Sequence, residues 1–91
     1  QGRQIVPKAW VAASTARLVD LQWGQYGYGF FWYRGRLLSG HDAIRASGHG
    51  GQEVFVLPDA GLSITIFAGN YDDPDWTAGE RILGRIVRAL R

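Results

Sequence analysis

The chain contains no cysteine, which rules out disulfides and thiolate metal ligands and leaves the redox compartment open. No apolar run approaches the roughly 18 residues that a spanning helix needs, so no membrane span is expected. Gln1 to Gln4 are polar and lead at once toward Pro7, and no signal peptide is visible there. The only lysine, Lys8, precedes every serine. Ser14, Ser39, Ser47 and Ser63 therefore all lack a lysine three places on; Ser14 is followed by Arg17, whose guanidinium stays protonated and cannot serve as a base. No tyrosine has asparagine two residues later. A serine nucleophile needs an adjacent base, so these residues do not make a self-contained serine hydrolase.

A surplus of positive charge is lacking outside one segment. Arg81, Arg85, Arg88 and Arg91 supply the excess behind the net charge of +2, and without them acids outnumber bases. The basic surplus reads as one helix face and not as a nucleic-acid groove. The apolar content of 46% is that of a globular chain. Thirteen glycines are about twice the usual share, and they cluster in 24–29 and 48–51, which makes them positional.

Along the chain, Pro7 suits the first position of a short helix within residues 5–17, and 18–25 reads as a loop. Residues 26–34 read as one aromatic strand, with Tyr26, Tyr28, Phe30 and Trp32 on one face and Gly27 and Gly29 on the other. Residues 35–46 are weaker, with a short strand near Ile44. Residues 52–58 form a strand that Pro58 ends; 59–61 reverse the chain, and 62–68 return as a second strand. Asp72 to Asp75 break the pattern. A Thr77-x-x-Glu80 capping box then opens a helix whose apolar stripe is Ile82, Leu83, Ile86, Val87 and Leu90, with the arginines opposite. The predicted fold is α+β: an antiparallel sheet of about three strands with this C-terminal amphipathic helix packed on one face. The other face has no cover in the sequence, which points to missing partner structure.

Chemistry concentrates in Ser47-Gly-His-Gly-Gly-Gln52. Glycines there expose backbone N–H groups and allow close approach, and His49 adds a tunable donor or acceptor. By local pattern alone this reads first as an ordinary turn. His41 and His49 with Asp42 or Asp59 lack any standard zinc spacing, and Asp72 to Asp75 lack the periodicity of a calcium loop; no metal and no cofactor is expected. Ser47 and His49 share a strand face but have no orienting third group. Tyr26, Tyr28 and Trp32 would be the stacking platform of a sugar-binding module, though aromatic strands are more often core.

The order of these features carries a resemblance. Tyr26-Gly-Tyr-Gly-aromatic, Gly48-His-Gly-Gly-Gln52, a hairpin interrupted by Leu57-Pro-Asp, Phe67-Ala-Gly-Asn-Tyr71 and a terminal amphipathic helix resemble the C-terminal end of the class C β-lactamase-related serine hydrolases, which include DD-peptidases, esterases and 6-aminohexanoate-dimer hydrolases. Gly2 to Val11 resembles the segment before it. The resemblance implies that residues 1–91 are a single piece, the C-terminal fragment of a larger domain with a partial β-lactamase/transpeptidase-like fold. It implies acyl transfer to water on an ester, amide or β-lactam, with the nucleophile on the missing N-terminal part. His49, Gly50 and Gly51 would stand in place of Lys-Thr-Gly, the Gln52 backbone N–H would be an oxyanion-hole donor, and Tyr71 would border the substrate cleft. Histidine for lysine leans away from β-lactam carboxylates and toward esters or amides. The expected partners are the missing part of the enzyme, or another copy through the bare sheet face, together with a small ester or amide; a periplasmic or secreted location follows from the resemblance. The alternative is a non-catalytic, stand-alone binding or interaction module.

Overall fold

Six strands follow one another in sequence and pair in that same order, each antiparallel to the next. They are β1 (Val19–Asp20), β2 (Tyr26–Gly29), β3 (Trp32–Arg36), β4 (Asp42–Gly48), β5 (Gln52–Leu57) and β6 (Leu62–Ile66); a helix α1 (Lys8–Ser14) precedes them and a helix α2 (Ala78–Ala89) follows. The computed structural model describes residues 2–21, 26–69, 71 and 78–90. The predicted break at 72–75, the Thr77 half of the capping box and Arg91 lie outside the described residues.

The sheet therefore has six strands in place of the expected three, and the short helix read within residues 5–17 is α1, which joins the C-terminal helix in the fold. The largest correction is at residues 26–34. They form a hairpin and not one strand: Gly29 pairs with Trp32 across a turn made of Phe30 and Phe31. Phe31 takes φ 71°, in the left-handed region, where a side chain costs about 1–2 kcal/mol. Hairpin turns usually advertise themselves with Gly or Asn; this one is aromatic and reads as strand. The fold back also moves Trp32 to the face opposite Tyr28, so the expected shared face of Tyr26, Tyr28 and Trp32 does not exist.

β4 was legible only at Ile44. Its other residues, Asp, Ala, Arg, Ala, Ser and Gly, are poor or neutral strand formers. It is held instead from both sides, by β3 and by β5. β1 owes its place to Gly27 and Gly29. A Cβ at Gly29 would strike the Ala16 carbonyl and one at Gly27 the Arg17 side chain, so only glycine lets the segment entering β1 lie against β2.

The core lies between the sheet and α2. Phe55 and Leu57 are fully buried against Leu83 and Val87, with Leu37, Ile64 and Ile66 packed around them. Each fully buried side chain contributes about 1.5–3 kcal/mol before chain entropy is set against it. The predicted helix stripe is narrower than expected: Ile82 and Leu90 remain 44% and 39% exposed. On the opposite face, α1 provides partial cover. Arg34 of β3 donates to the Thr15 carbonyl at 2.9 Å and Trp10 stacks on Phe30 at 5.9 Å, yet no α1 residue is buried. The accessible surface, 6821 Å², stands well above the roughly 5300 Å² usual for a folded chain of this mass.

Candidate functional site

β4 and β5 form a hairpin whose last pair is Gly48 with Gln52, so His49, Gly50 and Gly51 are its tip. Gly50 and Gly51 have φ of 92° and 93°, a conformation that side chains rarely adopt. Gly50 is also buried, because the Tyr71 ring lies on it: a Cβ at that position would stand 2.6 Å from Tyr71 Cε1. Tyr71 is held in turn from two sides. The His49 ring lies 5.5 Å away, tilted by 44°, and Gln52 Nε2 donates to Tyr71 Oη at 3.2 Å. His49, Gln52 and Tyr71 are exposed to solvent.

All five residues singled out in the sequence thus meet in one patch. It offers an imidazole, a phenol and a carboxamide beside a glycine backbone, so it can hydrogen-bond a polar substrate and admit it closely. It holds no activated nucleophile. Ser47, two residues from His49, points to the α2 side and donates to Glu53 Oε1 at 2.9 Å, so the Ser47–His49 pair is not formed. His41 sits at the far end of β4, roughly 26 Å from His49 at the usual rise per strand residue, and its Nδ1 meets Ser39 Oγ at 2.7 Å. Among the described residues, no three His, Asp or Glu side chains gather to hold a metal ion, and none of their helices is long and apolar enough to cross a membrane.

The sequence reading missed the charged network directly beneath this hairpin. Arg45 donates through Nε and Nη2 to both oxygens of Glu53, at 2.9 and 2.8 Å, and through Nη1 to Glu80 of α2 at 2.6 Å. The Glu53 side chain is only 4% exposed. Burial works against the Arg45 charge, but the hydrogen bonds and charge of Glu53, with Glu80 behind, more than offset it and raise its pKa. The guanidinium lies over the rings of Tyr26 and Phe55, 5.5 and 5.3 Å from their centroids. Tyr26 is pushed up from 10.0 by its burial, against the opposing charge and hydrogen bonding of Arg45. On the other face, Arg34 grips Asp42 with two hydrogen bonds of 3.0 and 2.7 Å; these bonds hold the Asp42 carboxyl below its usual range. The available signal was an acid inside an apolar strand, Gln52-Glu-Val-Phe-Val56, which has to find a partner.

No family model, no curated protein and no solved structure matches this chain. The β-lactamase relation, the partial β-lactamase/transpeptidase-like fold and the oxyanion hole read from them are therefore withdrawn. The six-stranded sheet also differs from the one expected, and Gln52 is a ladder residue facing Gly48.

Proposed function

We propose that this chain forms one wall of the active site of a serine hydrolase that transfers an acyl group to water from an ester or amide. The wall is the β4–β5 tip with Tyr71, and the nucleophile and its base stand on structure outside these residues. The observation that carries the reading is the convergence of His49, Gly50, Gln52 and Tyr71 on one solvent-facing patch that only glycine at position 50 permits. A turn of no function has no need of a buried glycine roofed by a half-exposed tyrosine. The patch carries uncharged hydrogen-bonding groups and, among its described members, no lysine or arginine, which favours a neutral acyl group over a carboxylate. The high accessible surface favours a companion structure, either the rest of the enzyme or a second copy against the bare sheet face.

The test is an amide-resonance titration of the chain with phenyl acetate, run beside a fluorophosphonate labelling assay. The expected result is perturbation confined to 48–52 and Tyr71, with no serine of the chain labelled and no hydrolysis faster than free imidazole gives. Uniform or absent perturbation overturns the wall; a labelled serine overturns the external nucleophile.

A second reading, a non-catalytic interaction module, is favoured by one observation. Phe31, Leu38 and Phe67 are 86%, 105% and 88% exposed and available for a partner to cover. Under that reading the chain is a partner-bound module, and phenyl acetate leaves the tip untouched.

A further inference from the structure

The α2 side of the molecule carries a groove of about 840 Å³, separate from the hairpin tip. Leu37 and Leu38, from the β3–β4 connection, line one bank; Leu83, Val87 and Arg88 of α2 line the other, and Tyr26 lines it from the sheet. The volume falls in the range of small-molecule sites, and the lining is mostly apolar, as such sites are. Leu38, fully exposed at the lip, has no packing role in the chain itself.

The charges in this lining are unequal. Glu80 is already held by Arg45 at 2.6 Å, so its negative charge is answered. Arg88 folds back over the helix, its Nη1 3.4 Å from the place a Cβ on Gly84 would take, and among the described residues no carboxylate pairs with it. Gly84 leaves the space that a side chain would fill. The groove thus presents an apolar trough with the guanidinium groups of Arg81, Arg85 and Arg88 along its α2 side, a combination that suits an apolar tail ending in an anion.

We propose that the groove between the β3–β4 connection and α2 binds a small apolar carboxylate, its tail over Leu37 and Leu38 and its head group at Arg88. The site does not depend on the hydrolase reading, since it shares no residue with the β4–β5 tip.

The probe is decanoate, kept below its micelle threshold and titrated into the chain by calorimetry and by methyl resonances. Expected is saturable binding of one molecule per chain, with shifts centred on Leu37, Leu38, Leu83 and Val87. Arg88→Glu is expected to weaken binding by about tenfold or more, whereas Lys8→Glu, on the opposite face, leaves it unchanged. Gly84→Leu fills the trough and abolishes binding, and it favours the helix, so the fold survives. Methyl decanoate, apolar but uncharged, is expected to bind about tenfold more weakly. The proposal is overturned by non-saturating binding, by shifts spread over the exposed apolar surface, by an Arg88→Glu variant as tight as the parent, or by a Gly84→Leu variant that folds and still binds.

Discussion

Arg45→Met isolates what the buried charge network contributes. In the parent structure, Glu53 accepts two hydrogen bonds from Arg45 and one from Ser47, and almost none of its side chain meets water. Methionine fills a similar volume and leaves Glu53 with Ser47 alone. A buried charge stripped of its partner costs about 3–5 kcal/mol. Glu80, 42% exposed, is rehydrated on losing Arg45 and adds little. A domain of this length has roughly 5–14 kcal/mol in total, so the loss is about a fifth of it or more. At about 4–8 °C per kcal/mol, the melting temperature falls by roughly 12–40 °C.

The assay is urea and thermal unfolding followed by far-ultraviolet circular dichroism. The double variant Arg45→Met with Glu53→Leu separates charge from packing. Replacing both members of a buried pair with apolar groups is commonly neutral or stabilising, so the double variant is expected to be more stable than Arg45→Met alone, a coupling that the cycle measures directly. A loss below about 1 kcal/mol in the single variant, or a double variant no better than the single, refutes the view that desolvation of Glu53 sets the magnitude.

Phe31→Gly is expected to stabilise the chain by about 0.5–1 kcal/mol, since it relieves the left-handed strain and Phe31 buries little; a lower urea midpoint contradicts this. Gly50→Ala is expected to cost about 1–3 kcal/mol and to push Tyr71 off the tip, visible as loss of the ring-current shift between Tyr71 and His49. For Asp42 the folded pKa lies below 3.8, so its stabilisation is present above that value and disappears as pH falls through the folded pKa. Asp42→Asn is expected to flatten the acid limb of stability against pH, and to cost about 1 kcal/mol at neutral pH; an unchanged acid limb assigns that slope to other carboxylates.

Strands with period-two patterning were readable, and the strands that depend on neighbours were not. Gln52–Leu57 and Leu62–Ile66 alternate cleanly and are bounded by Pro58 and Gly61, so local chemistry defines them. β4 has no such signature, because a strand paired on both sides needs little propensity of its own. The Phe30–Phe31 turn hid for the opposite reason. Its residues favour strands, and the chain folds back against that preference because Gly29 and Trp32 pair and Phe30 gains Trp10 as a stacking partner. Sheet order then followed from the turns: once each connection is short, an antiparallel meander is the only arrangement that consecutive strands take without crossing.

The candidate site was readable as residues but not as geometry. Glycines at 48–51 flagged the tip, yet nothing local tied Tyr71 to it across nineteen residues; the register of β5 on β6 brings the chain back to the same end of the sheet. Arg45 and Glu53 went unread because each alone resembles a surface charge. The hairpin register sets Ser47 opposite Glu53 and Arg45 opposite Phe55, so the arginine reaches its acid diagonally, on the face that α2 closes. Tip and network are therefore two consequences of one register. A slip of a single residue between β4 and β5 would turn Glu53 out to water, take Gly50 from under Tyr71 and leave Phe55 facing away from α2. Packing of Phe55, pairing of Glu53 and exposure of His49 are all satisfied in the same alignment, so the apolar core that fixes that alignment also sets the geometry of the hairpin tip.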